Sequence, residues 1–106
     1  MRALLAILLV VSHQAQAAYY SGATLAGMLS ARVTSDEDYL GVQALGYIAG
    51  VHDALWVDKI VCTPAAVTLA QLGAVVAKHL REHPENLHAP ANLLVEIALR
   101  KAYPCK

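Results

Sequence analysis

Beyond the N-terminal stretch, apolar residues recur at every third and fourth position, the spacing of one helical face, and no stretch alternates as a half-buried strand would. The pattern predicts an all-α fold, a small helical bundle of about four helices. Ala23 to Ala31 places Leu25, Met28 and Leu29 on one side and predicts a short first helix, ended by the polar Thr34-Ser35 break. Ser35 is a candidate N-cap for the second, with Asp36, Glu37 and Asp38 in the first turn, where carboxylates meet the positive end of the helix dipole. That helix runs to about Val57, and Leu40, Ala44, Tyr47, Ile48, Val51 and Leu55 form its apolar stripe. Gly46 and Gly50 lie one above the other on it, each costing about 1 kcal/mol in a helix interior. Such a pair, with Tyr47 beside it, marks a candidate packing or dimer surface where another helix or a second subunit comes close to the backbone.

Pro64 biases Thr63 away from helix, so Ile60 to Pro64 is a break. Thr68 with Gln71 three residues later makes a capping box for the third helix, and Val67 with Leu72 can close a hydrophobic staple around it. Leu69, Leu72, Val76 and Leu80 give the expected buried face, and Pro84 stops the helix. Glu82 to Pro90 is polar and bracketed by prolines, which predicts a surface loop of the kind that carries binding residues. The last helix starts near Ala91, with Leu94, Ile97, Ala98 and Lys101 along one side, and ends at Tyr103-Pro104.

The N-terminus changes the setting. Arg2, an apolar run from Ala3 to Val11 and the small-residue site Ala15-Gln16-Ala17 read as an export signal cleaved after Ala17. Residues 18–106 then form one domain of roughly 90 residues, near the lower size at which an unaided core suffices. Lys plus Arg and Asp plus Glu number eight each, a balance that argues against nucleic acid or an anionic membrane surface as the partner. No membrane association is expected after cleavage. In an oxidising compartment the two cysteines, Cys62 and Cys105, are expected to pair. Their spacing lacks the C-x-x-C pattern of redox and zinc sites, and closing so long a loop is worth roughly 4 kcal/mol in the chain-entropy model. Small size, the Gly46/Gly50 face and an apolar content of 58% in the full chain predict a homodimer.

Two constellations look catalytic. His79-Leu80-Arg81-Glu82-His83 matches the H-x-x-E-H pattern of one zinc-peptidase class, in which two histidines share a helix face and the glutamate polarises a bound water. Here it occupies a last helical turn before Pro84 in a chain with little room for a substrate cleft. The favoured reading is a solvated helix end whose imidazoles offset the negative dipole, with no metal and no cofactor. His52-Asp53 could be a base and its orienting carboxylate, but adjacent helix positions do not face each other. One of the two is expected to contact a neighbouring segment and the other to be exposed. Trp56, the single tryptophan, is expected in the core or a subunit contact, and Tyr19 and Tyr20 in a loose terminus. No enzyme chemistry is expected.

Gly46-Tyr47-Ile48-Ala49-Gly50-Val51-His52-Asp53-Ala54, Cys62-Thr63-Pro64, His83-Pro84-Glu85 and Ala98-Leu99 followed by Tyr103-Pro104-Cys105 occur in that order. Together, over roughly residues 22 to 105, they resemble the Rap/Tai immunity proteins. The resemblance implies an exported helical protein of the bacterial periplasm that neutralises a peptidoglycan amidase delivered by type VI secretion. It also implies a loop between helices that reaches into the enzyme; the matching segment is Glu82 to Pro90, with Glu85, Asn86 and His88 as candidate contacts. Many members carry a second cysteine pair, at positions that here read Ala44 and the Ser30 to Val33 stretch. The competing expectation is an exported interaction or structural domain of the cell envelope without a toxin partner. A metal-dependent hydrolase using His79, Glu82 and His83 stands third.

Overall fold

The structure, a computed structural model, describes residues 18–31 and 38–106. The export segment with its cleavage site, and the Ser35 N-cap with Asp36 and Glu37, lie outside the described residues. Those described form four α-helices and no sheet: α1 (Gly22–Ala31), α2 (Asp38–Val57), α3 (Leu69–Glu82) and α4 (Ala91–Ala102), with a 3-10 turn at Pro84–Asn86 between the last two. The only extended pairing among them is an isolated bridge between Ser21 and Pro90. No helix among them is long and apolar enough to cross a membrane.

One core joins all four helices, and Leu25, Ile48, Val61, Val76, Val95 and Leu99 are its most enclosed side chains. α2 packs against α1, α3 and α4, so its stripe is the spine of the bundle. Ala44, Ile48 and Leu55 on that stripe are buried, while Leu40, Tyr47 and Val51 pack partly covered against them. Ala44 is wholly enclosed.

The ends of the helices follow from local chemistry. Thr68 Oγ1 accepts from the Gln71 amide at 3.1 Å and the Gln71 side chain accepts from the Thr68 amide at 2.7 Å, which closes the capping box. α2 ends with the Ile60 amide on the Leu55 carbonyl at 2.9 Å and the Lys59 amide on the Trp56 carbonyl at 3.0 Å, the double bond of a Schellman turn. Lys59 fills the left-handed position of that turn with φ 59°, where glycine is the ordinary choice and another residue costs roughly 1–2 kcal/mol.

Two faces differ from expectation. Leu69 is 39% exposed, because it stands in the first turn of α3 beyond the packed part of the helix, and Gly73 is buried in its stead. On α4 the buried face is Ala91, Leu94, Val95, Ala98 and Leu99, whereas Ile97 is 43% exposed. The inward face holds two alanines, which lets α4 sit close to its neighbours, so the larger Ile97 is a poor guide to its direction.

The Cys62–Cys105 disulfide is present, with Cα atoms 5.0 Å apart. Beside it the Cys62 amide donates to the Tyr103 carbonyl at 3.0 Å, and Val61 is buried one residue away. The bridge therefore ties the end of α4 to the segment that follows α2.

Candidate functional site

The segment from Glu82 to Pro90 leaves α3 at His83, whose amide still reaches the Leu80 carbonyl, and turns through Pro84–Asn86. Proline at the first position of that turn has no amide to satisfy and a φ already suited to it. The Leu87 amide returns to the Pro84 carbonyl at 3.3 Å, and the Ala89 amide to the Asn86 carbonyl at 3.0 Å. Leu87 and Ala89 face inward and pack against the core, while Glu85, Asn86 and His88 are exposed. The loop thus has a seated base and a polar tip, and the three candidate contacts all sit on the tip.

Its base is held from the other end of the chain. The Gly22 amide donates to the Ala89 carbonyl at 2.8 Å, the Ala23 amide to the Leu87 carbonyl at 2.9 Å, and the Ala91 amide to the Tyr20 carbonyl at 2.9 Å. Tyr20 is not loose: its hydroxyl accepts from Gln43 Nε2 at 2.9 Å and its ring lies 5.0 Å from that of Tyr47. Only Tyr19, 94% exposed, fits the expected free terminus. Burial raises the Tyr47 phenol above its ordinary 10.0, opposed by the backbone amide of Asn92. Ser21, which caps α1 by accepting from the Thr24 amide at 3.1 Å, escaped the sequence reading although its spacing to Thr24 carries the signal.

At the foot of the loop the His79 and His83 rings lie 4.4 Å apart, and His83 Nδ1 is 3.4 Å from Glu85 Oε2. No group of three or more His, Cys, Asp or Glu residues is placed to share a metal ion among the described residues. The Glu85 carboxyl is held below its ordinary 4.5, first by its own backbone amide and then by His83. His79 is pushed below its ordinary 6.5 by desolvation and then by the neighbouring His83 and Lys101, with Glu82 and Glu85 opposing. A histidine whose folded value lies under its unfolded one favours the folded state while neutral. That contribution is complete above about pH 6.5 and is lost as the pH falls through the folded value. Thermal melts of the parent at pH 7.5 and 5 are expected to show the loss, and His79→Gln to reduce it. An undiminished difference in the variant would remove His79 as its source.

Adjacent though they are, His52 and Asp53 do pair: Nδ1 lies 3.0 Å from Asp53 Oδ1, contrary to expectation, because the two side chains bend toward each other from one helical turn. With Nδ1 donating to the carboxylate, Nε2 accepts from the Thr63 hydroxyl at 3.1 Å. Hydroxyl, imidazole and carboxylate in series match the groups of a nucleophilic relay. Asp53, however, is 80% exposed, whereas such a relay needs a carboxylate buried against its imidazole. The chain acts as a tether from α2 to Thr63, next to the disulfide. Trp56 is 56% exposed beside it, outside the core.

Gly46 and Gly50 face outward, and a Cβ added at either would meet nothing within 4 Å. Among the described residues no other helix approaches them. Tyr39, Val42 and Val57, all about two-thirds exposed, share that outer side of α2. Tyr47 does not, being turned toward Tyr20.

An exposed loop on a seated base projects from a disulfide-tied helical bundle. A comparison with protein families matches residues 14–105 to the Rap1a immunity proteins. The chain belongs to this family. No curated protein matches it. Membership implies a partner, a secreted effector protein that a Rap1a protein binds to confer immunity. The Rap1a match spans α1 to the disulfide, so the loop and its backbone clamp both fall within it.

Proposed function

We propose that this Rap1a protein is exported, loses residues 1–17, and in the periplasm binds a peptidoglycan amidase delivered by type VI secretion. It acts by occlusion: the loop from Glu82 to Pro90 enters the amidase cleft and blocks substrate, and the protein contributes no chemistry of its own. The observation that carries this is the construction of the loop. Its tip, with Glu85, Asn86 and His88, is exposed, while its base is fixed by backbone hydrogen bonds. A loop already shaped before contact gives up little conformational entropy on binding, which favours tight inhibition. The purified mature protein is expected to bind and inhibit any amidase encoded beside its gene. Failure to bind it would leave an envelope domain without a toxin partner as the better reading.

The same reading includes a homodimer through the outer face of α2. A two-fold axis crossing the helix at Ile48 would set Gly46 of one copy against Gly50 of the other, Val42 against Ala54 and Tyr39 against Val57. Small residues would then meet at the crossing and large ones at the ends, a self-complementary arrangement. Light scattering at micromolar concentration is expected to report a dimer for the parent and a monomer for Gly46→Leu. A monomeric parent would overturn this part of the proposal.

A further inference from the structure

The N-terminus of α1 and the loop cap one another. The first amides of any helix lack intrahelical acceptors and need partners from outside. In α1, Ser21 Oγ takes the Thr24 amide, and the Gly22 and Ala23 amides go to the Ala89 and Leu87 carbonyls of the loop. In α4 the preceding residue, Pro90, offers no side-chain cap, and the first amide, that of Ala91, goes to the Tyr20 carbonyl. Each helix start thus borrows its acceptors from the chain leading into the other.

This exchange needs the two backbones in contact, and residue 22 is where they meet. A Cβ on Gly22 would collide with Leu94 Cδ1 and stand 3.0 Å from the Leu87 carbonyl oxygen and 3.2 Å from its Cα. The Leu94 side chain can turn aside; the Leu87 backbone moves only if the loop moves with it. Gly27, in the same helix, has open space around the equivalent position. Gly22 owes its place to close approach, since its backbone is helical and no glycine has a positive φ.

We propose that Gly22 is a positioning residue for effector recognition: together with Tyr20 and Ala23 it sets the height and direction of the Glu82–Pro90 loop, so that recognition is built from both ends of the chain. The inference rests on the reading that this loop meets the effector. Residues 20–23 touch no effector themselves; they act through the carbonyls of Leu87 and Ala89.

The test uses the mature protein as parent, Gly22→Ala, Gly27→Ala and Ala23→Pro. Hydrogen exchange of individual amides is measured, together with affinity for any amidase encoded beside the gene. In Gly22→Ala the Ala23 and Ala91 amides are expected to exchange at least tenfold faster, with Val76 and Leu99 in the core as protected as in the parent, and the affinity to fall at least tenfold. Gly27→Ala should match the parent in both readouts. Ala23→Pro deletes one clamp bond at an exposed position in the first helical turn, where proline is tolerated, and covers the case in which Gly22→Ala does not fold. It is expected to weaken binding while melting near the parent. Parental exchange at Ala91 in both clamp variants would overturn the proposal, as would accelerated exchange with unchanged affinity. If the parent itself does not bind the amidase, the recognition reading fails, and the exchange data alone decide whether Gly22 sets the loop.

Discussion

Cys105→Ser is expected to lower the stability of the mature protein by about 4 kcal/mol, which for a domain of this size is roughly 15–30 °C in melting temperature. The bridge joins residues 43 positions apart and so removes many conformations from the unfolded chain. The folded state needs it less. The Cys62 amide on the Tyr103 carbonyl, the burial of Val61 and the packing of Tyr103 against the core all bring the two segments together without it. The variant should therefore keep its helical spectrum and lose stability mainly through the unfolded state. Reduction of the parent is expected to bring its melt to that of the variant. A parent whose melt is indifferent to reductant would show that the staple does not hold this fold.

The second large effect concerns recognition. Glu85→Lys combined with His88→Ala is expected to weaken effector binding by about 2 kcal/mol or more, roughly thirtyfold, if the tip supplies central contacts. The substitutions should leave the melt within about 0.5 kcal/mol of the parent, because both side chains are exposed and the base bonds run through backbone atoms. Reversing the charge at residue 85 is the sharper of the two changes, since it replaces an exposed carboxylate with a cation. Binding equal to the parent's would place the contact surface elsewhere on the bundle.

How far the sequence could be read depended on whether the deciding interaction was local. Thr68 and Gln71 meet within one helical turn, and Pro84 stops α3 whatever surrounds it, so those boundaries were legible. The cysteine pairing followed from there being only two. The direction of α4 was less legible, because Ile97 is larger and more apolar than the alanines that face inward. His52 and Asp53 bond despite their adjacency, which helix geometry alone disfavours and which Thr63 on the following segment completes. The loop was visible as a polar segment between prolines. Its clamp was not, because the bonds from Gly22 and Ala23 link backbone groups more than sixty residues apart and no side-chain type announces them. Gly22 reads in sequence as an ordinary helix-start residue; its role lies in the space around it.

Occlusion by the loop requires that binding and inhibition go together, so both are measured on the same samples. Peptidoglycan hydrolysis by the amidase proposed as its partner is followed while the mature protein is titrated in, first the parent and then the Glu85→Lys, His88→Ala variant. Hydrolysis is expected to end at one parent chain per enzyme, and the variant to need a concentration at least thirtyfold higher. A parent that binds the amidase tightly while hydrolysis continues would contradict occlusion.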